Sequence, residues 1–469
     1  MSSGLKVILQ QFLDTDRYER LKLFFLTTAF FLVIGAYTLA KELKDSVFMS
    51  IVGKSYVPIA KWPVMILLIP AIFVYSKLVD KMRRYYLISF FCVLYGVLGL
   101  IFAYFLGSPV MGLENTNSSV YRLFGWGFYL FVEGYSPFVV SVFWAFANSV
   151  NSPESAKKSY GIMVAGSKLG GALSAGLAWY WLSAKVNSGL PISDVYNHQI
   201  LLAIASGLLL LVPFVIFAMM RNVPGRYLHG YEAVYKLEKQ KSKEGTAETG
   251  VFSGILMFVR YPYVLGIFGM VFFYEVVSTV LSYLRLDVAQ SQATSISQVS
   301  SVLFEITFKY HAIGVLIALL GTSALLSKLG ERVCLVLIPL VSGVLLLYLM
   351  VSNTDTVALI HAFVAIKAIN YAFSWPVRES LYIPTVKEIK FKSKSWIDAF
   401  GSKFAKMIGS SFIIFAEQLG ATLFMPVYSF FFAAIIGSWF FTAVLLGRRF
   451  DKAIVNNEVI GSDEKAAQA

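Results

Sequence analysis

Charge is what this sequence is short of. Asp, Glu, Lys and Arg make up 14% of its 469 residues, against about 25% in an average soluble chain. Too little polar surface remains to cover a water-soluble core of this size. That excludes a soluble multidomain enzyme and a disordered protein. Cysteine is scarce as well. Cys92 and Cys334 lie far apart inside apolar runs and form no Cys-x-x-Cys pair. A disulfide-built secreted module is excluded, and a zinc or redox site is not expected. The four histidines, His198, His229, His311 and His361, are scattered. A membrane-embedded transferase would want a grouped histidine or a carboxylate pair at the membrane face, and the sequence offers neither. No Gly-x-x-x-x-Gly-Lys-[Ser/Thr] loop occurs, so no P-loop engine is expected to drive the protein. No cofactor and no metal are expected.

What is present is apolar length. Hydrophobic residues reach 57% and aromatics 16%, with a mean hydropathy of +0.69. About 20 apolar residues suffice for a helix to cross hydrocarbon. Such segments are expected at 22–42, 56–79, 85–106, 124–149, 160–183, 199–220, 262–285, 310–328, 333–352, 356–377, 397–418 and 425–447. The expectation is an all-α polytopic membrane protein with twelve transmembrane helices. The first twenty residues lead into a full-length span, unlike a cleavable signal peptide.

The net charge is +13, but the basic residues sit in short loops between apolar runs, which does not suit a nucleic-acid polymer as partner. Lys and Arg crowd the N-terminal segment and every second loop: Lys77, Lys81, Arg83 and Arg84 in one, Lys387, Lys390, Lys392 and Lys394 in another. The alternate loops hold few, such as Lys54, Arg122, Lys185 and Lys309. By the positive-inside rule both termini are cytoplasmic, which an even number of spans also requires.

One long polar insert, "KLEKQKSKEGTAETG", interrupts the pattern. It divides the chain into a six-helix half (1–220), a cytoplasmic linker (221–255), a second six-helix half (256–452) and a polar tail (453–469). That layout resembles the major facilitator superfamily. Short echoes support a duplication. Ser76-Lys77-Leu78 returns as Ser327-Lys328-Leu329, Lys158-Ser159 as Lys394-Ser395, and Gly166-Ser167-Lys168 as Gly401-Ser402-Lys403. These fall at positions that a parallel six-helix repeat superposes.

Ionisable residues deep in a span are costly and mark a polar pathway. The fourth span carries Glu133, Pro137, Ser141, Trp144 and Asn148, spaced for one helical face. The seventh carries Glu275, Ser278, Ser282 and Arg285, and the tenth Lys367, Tyr371, Ser374 and Arg378. Lys168 lies in the fifth, and Lys403 and Lys406 in the eleventh. Some have plainer readings. Lys61 and Arg285 lie near span ends, where long basic side chains reach the interface, as Lys403 and Lys406 also can. Glu133 and Glu275 are also suited to holding helices together by pairing with a cation. Glycines such as Gly166, Gly170, Gly171 and Gly176 suit close helix packing. Taken together, Lys61, Lys168, Lys367, Lys403 and Lys406 outnumber Glu133, Glu275 and Glu417. A cavity with surplus positive charge attracts an anion, and Lys donors suit phosphate or carboxylate. Trp62, Trp144, Tyr371 and Trp375, on neighbouring faces, are suited to stacking on a planar base, although most aromatics in such a chain face lipid or the core. The residues alone point to a secondary transporter of an organic anion.

The segments "EGYSPFVVSVFWAFANSVNSPESAKKSYGIMVAGSKLGG" (133–171) and "RESLYIPTVKEIKFKSKSWIDAFGSKFAKMIGS" (378–410) add a family. Together with Leu43-Lys44-Asp45 and Lys61-Trp62, they resemble the nucleotide transporters of plastids and obligate intracellular bacteria, the ATP/ADP translocases. The resemblance implies exchange or import of nucleotides by alternating access, in a bacterial inner membrane, by a monomer. It also implies four functional charges, at Lys44, Glu133, Glu275 and Lys406. The residues alone place Lys44 at the end of the first span, near a loop. The candidate substrate or coupling residues are therefore Lys44, Glu133, Glu275, Lys406, Lys168, Lys403, Lys61, Lys367 and Arg378. The expected partners are a nucleotide or another phosphate-bearing anion and the lipid bilayer.

Overall fold

The computed structural model describes residues 16–151, 153–187, 193–228, 260–320, 322–386, 389, 393–420 and 423–461. Most of the expected linker, the Lys387–Lys392 stretch apart from Ile389, and the end of the tail lie outside them. Every regular element among the described residues is helical, and one isolated bridge joins Thr385 to Ile460. In chain order the helices are α1 (Arg17–Ile51), α2 (Lys61–Lys81), α3 (Arg84–Leu106), α4 (Leu123–Val150), α5 (Pro153–Asn187) and α6 (Asp194–Asn222). There follow α7 (Pro262–Ser291), α8 (Ile296–Leu320), α9 (Thr322–Val351), α10 (Thr356–Ser380), α11 (394–418) and α12 (Phe424–Val455). Ten of these are long and apolar enough to cross a bilayer. α2 is apolar over Lys61–Ile72. α11 falls short because Lys403, Lys406 and Glu417 lie within its length.

Two boundaries differ from the sequence expectation, for the same reason. α1 runs to Ile51, well past the expected end at 42. The charges that end the apolar run, Glu42, Lys44 and Asp45, are buried inside the protein and paired there. Hydropathy sees charge and stops, whereas the helix continues because each charge has a partner. Likewise α8 starts at Ile296, where residue 310 was expected. In its first turns Ser297, Ser300 and Ser301 are buried against polar partners, which lowers hydropathy without ending the helix.

The helices fall in two compact units. The first contains α1–α6 with Leu286–Val315, which is the end of α7 and most of α8. There α1 packs on α5, α6 and α4, and α3 packs on α6. The second contains the rest of α7 and α8 with α9–α12, where α9 packs on α12 and α10. Gly330, at φ 73° and ψ 165°, breaks the helical backbone within α9.

The fifth-span glycines do serve close packing. A Cβ at Gly166 would lie 2.3 Å from the Thr27 side chain, and one at Gly170 would lie 2.4 Å from the Phe31 carbonyl oxygen. A backbone oxygen cannot swing aside, so α1 and α5 would have to part. Gly170→Ala is expected to cost about 1–3 kcal/mol, read as a lower melting temperature in detergent. Gly161→Ala on the same helix meets nothing within 4 Å and serves as the control. Equal loss in both variants would show that the close approach of α1 and α5 is not what Gly170 secures.

Candidate functional site

Glu133 sits where α4 loses its regular winding. Pro137, four residues on, has no N–H to give the Glu133 carbonyl, and its ring crowds that oxygen. Ser136–Val140 relieve the clash by winding as a π-turn, with the Ser141 N–H reaching back to the Ser136 carbonyl. An extra residue in the turn rotates everything after it by about 100°. The single face expected from Glu133 through Asn148 is therefore broken after Tyr135. Glu133 stands at the bulge instead of heading a polar stripe.

Its carboxylate Oε1 takes two ammonium groups, Lys44 Nζ at 2.6 Å and Lys61 Nζ at 2.8 Å. Lys44 also meets Asp45 at 3.2 Å. Both ammoniums lie against the Tyr129 ring, at 4.4 and 4.9 Å from its centroid, a cation–π contact strengthened by burial. Lys44, Lys61, Glu133 and Asp45 thus form a charged cluster among α1, α2 and α4. Lys61 turns inward to Glu133, not outward to the membrane interface. Lys44 belongs to the same site, although sequence alone placed it at a span end.

In the second unit, Glu275 on α7 accepts a hydrogen bond from Ser402 at 3.1 Å and faces Lys406 Nζ at 3.8 Å, both on α11. A π-turn at Ile397–Gly401 immediately precedes Ser402. This pair is looser and wetter than Lys44–Glu133. The Lys406 side chain is 26% exposed, against 5% for Lys44. Lys367 and Arg378 also lie within electrostatic reach of Glu275. Lys367 is buried on α10, donates to Ser278 on α7, and lies 5.7 Å from the Phe363 ring. Arg285, 2% exposed, lies 4.8 Å from the same ring, so it does not reach for the interface.

The two units repeat one local design. α10 winds as a π-turn at Asn370–Ser374, before Pro376. One displacement along the chain carries Tyr129 to Phe363, Glu133 to Lys367, Ser136 to Asn370 and Lys44 to Ser278. In each unit an aromatic ring, a charged residue one turn later and a π-turn follow in that order. In each, the charged residue meets its counterpart on the first helix of the half. The charge is reversed between them: glutamate in one, lysine in the other. The π-turn in α10 breaks the expected Lys367–Arg378 face as it does in α4.

Of the other candidates, Lys168 is buried on α5 and acts electrostatically on His311 of α8 together with Lys41. Lys403 is buried on α11, next to Ser402. Sequence reading missed Tyr129, Phe363 and Tyr274, the rings under the ammonium groups. The signal of Tyr129 and Phe363, an aromatic one turn before a charge, is hidden where 16% of residues are aromatic. An apolar hollow lined by Gly176, Trp179 and Phe308 holds none of these charges.

Known proteins share this arrangement of helices. A D-xylose–proton symporter superposes with a TM-score of 0.61 at 13% identity, over 92% of this chain and 97% of that one. A peptide transporter does so at 0.57 and 14% identity, over 92% and 94%. The fold is therefore major-facilitator-like. In sequence, ADP,ATP carrier protein 1 of Chlamydia pneumoniae is 24% identical over 374 residues, covering 73% of this chain and 71% of that protein. The chloroplastic ADP,ATP carrier protein 2 of Arabidopsis thaliana is 22% identical over 489 residues, covering 93% and 76%. The family model described as TLC ATP/ADP transporter matches residues 2–450. Two charged clusters on intramembrane helices, a transporter fold and a match over nearly the whole length agree: the chain is a multi-pass integral membrane protein and belongs to the TLC ATP/ADP transporter family.

Proposed function

We propose that the protein is a secondary active transporter that moves nucleotides across a bacterial inner membrane by alternating access, in exchange or import. The family match over residues 2–450 carries this reading, and the charged clusters supply its chemistry. A nucleotide brings several negative charges into a low-dielectric space, which is tolerable only against fixed cations. Lys406, 3.8 Å from Glu275 and with 26% of its side chain exposed, is a more accessible ammonium for a phosphate than Lys44, at 5%. Lys44 and Lys61, locked on Glu133, are released only if that carboxylate gives them up. In this reading Lys44, Glu133, Glu275 and Lys406 are the principal substrate or coupling residues, with Lys61, Lys168, Lys367, Arg378 and Lys403 around them. The protein works as a monomer with twelve spans, α2 and α11 included.

Uptake of labelled ATP and ADP into cells expressing the chain, with and without preloaded ADP, tests the reading. Uptake stimulated by preloading indicates exchange, and uptake without it indicates import. Absence of both, with the protein present in the membrane, would overturn nucleotide transport in favour of another organic anion.

Both termini and the segment around Lys241 are placed on the cytoplasmic side by the loop charges. A cysteine introduced at Lys241 should stay unlabelled by an impermeant thiol reagent in intact cells and react after permeabilisation. Labelling in intact cells would reverse the orientation.

A further inference from the structure

Past α12 the chain folds back onto the second unit. It turns through Asn457, at φ 50°, and Glu458, whose N–H returns to the Ala453 carbonyl at 2.8 Å. It then runs beside the connection from α10 to α11. The Ile460 N–H donates to the Pro384 carbonyl at 2.7 Å, and the Val386 N–H donates to the Ile460 carbonyl at 3.0 Å. Ile460 thereby bridges Thr385 in parallel, the pattern by which an extended segment adds to an open backbone edge. The fit is close. Ile460 is buried, and a Cβ on Gly461, at φ 93°, would lie 2.7 Å from Ile389 and 2.8 Å from Val386. The Glu458 carboxylate is held by both terminal nitrogens of the Arg449 guanidinium on α12.

What this segment grips leads directly to the charged site. The connection is pinned at its start, where Tyr263 on α7 donates to the Leu381 carbonyl at 2.7 Å. It is also closed across its ends, where Lys394 donates to Glu379 at 2.6 Å. Three residues after Lys394 the π-turn Ile397–Gly401 begins, and Ser402 and Lys406 follow on α11. Ile389, which Gly461 contacts, precedes Lys394 by five residues. A shift at the beginning of α11 therefore draws on a connection that the segment after α12 holds at 384–386 and at Ile389.

The first unit has a tie of the same kind, built differently. Lys22 on α1, 0% exposed, donates to the Val150 carbonyl at the end of α4 at 3.4 Å and to the Tyr227 carbonyl beyond α6 at 3.0 Å. There the fastening is a buried ammonium. In the second unit it is two backbone hydrogen bonds, one buried side chain, and an ion pair whose members are 38% and 40% exposed. An exposed pair contributes little and is screened by salt, so this tie is made to open. We propose that residues 457–461 are a releasable strap. Docked, the strap restrains the α10–α11 connection and the start of α11. Released, it lets the beginning of α11, with Ser402 and Lys406, move against Glu275.

The strap rests on contacts within the second unit and not on the identity of the cargo, so its test needs no transport substrate. Hydrogen–deuterium exchange of the purified protein is followed by mass spectrometry in peptides covering 380–386, 397–406 and 457–461, where the rates report local opening. Ile460→Asp puts a charge where a buried apolar side chain seats. It should speed exchange at 380–386 and 457–461 by about ten- to a hundredfold, with 397–406 also faster. Val455→Asp places the same charge at a position 80% exposed on the end of α12 and should leave all three peptides as in the wild type. Glu458→Gln keeps the side-chain shape but not the charge, and should speed 380–386 by about two- to fivefold. Raising salt from about 0.05 to 0.5 M should do the same to the wild type and add nothing in Glu458→Gln. Unchanged rates at 380–386 in Ile460→Asp and Glu458→Gln, or equal acceleration in Val455→Asp, overturn the strap. Faster exchange at 380–386 with 397–406 unchanged overturns its hold on α11. An equal salt response in wild type and Glu458→Gln overturns release through the Arg449 pair.

Discussion

Glu133→Gln is expected to abolish most transport, by two orders of magnitude or more, while the protein still inserts in the membrane. The amide oxygen can still accept from Lys44 and Lys61, which hold Oε1 at 2.6 and 2.8 Å. What disappears is the negative charge between them. Two ammonium groups, 5% and 14% exposed, then lose the carboxylate they share, while Lys44 keeps its contact with Asp45. Removing one partner of a buried ion pair costs about 3–5 kcal/mol, roughly a hundred- to several thousandfold in an equilibrium. A transporter feels that cost as a bias towards whichever conformation best separates or hydrates the lysines.

Loss of function in this variant alone does not distinguish a switching carboxylate from one that only holds helices together. Lys61→Met in combination with Glu133→Gln removes one positive and one negative charge, leaving Lys44 on Asp45. If Glu133 is structural, this balanced double variant regains transport. If Glu133 must take up and release lysines during the cycle, the double variant inserts well and stays inactive. Membrane abundance and initial uptake rate, measured together on the wild type, Glu133→Gln and the double variant, separate the two. Glu275→Gln should disturb insertion less, because its ion pair is 3.8 Å long and its side chains are 26% and 17% exposed.

The sequence made the class of fold legible because its signal is additive. Apolar residues over tens of positions outweigh any single error, and the periodic basic loops outline the segments. Local details failed where one residue changes the geometry of many. Pro137 and Pro376 each induce a π-turn, and a reading at 3.6 residues per turn carries the wrong face past them. Span ends failed where charges are satisfied internally: Lys44 looked like a loop residue only because its partner, Glu133, is 89 positions away. Long-range pairing is invisible to hydropathy. Lys168, Lys367 and Lys403, which the sequence places within spans, are all buried. The repeat showed in short echoes, but its sharpest form, Glu133 against Lys367 in matching positions, reverses charge and so defeats a search for identical residues.

Lys406→Gln is expected to raise the nucleotide concentration for half-maximal uptake by roughly ten- to a hundredfold, since a charge-assisted hydrogen bond contributes about 1.5–3 kcal/mol. The reason lies in the exposure of its side chain. Lys406 is 3.8 Å from Glu275 and 26% exposed, so its ammonium pays little desolvation on meeting a phosphate. Ser402 donates to Glu275 at 3.1 Å and continues to satisfy that carboxylate when the lysine swings away. The substitution should therefore leave α7 and α11 packed while weakening the anion site. Its effect should grow with the charge of the ligand. Competition by ATP, ADP and AMP against one labelled nucleotide, in wild type and Lys406→Gln, reads this directly. A phosphate ligand predicts that the loss is largest for ATP and smallest for AMP. A lysine directed to the headgroups predicts equal losses or none, because its charge stays outside the binding cavity. If the order and spacing of the three competitors are the same in both proteins, Lys406 does not contact phosphate. If none of the three competes in the wild type, adenine nucleotides are not the cargo.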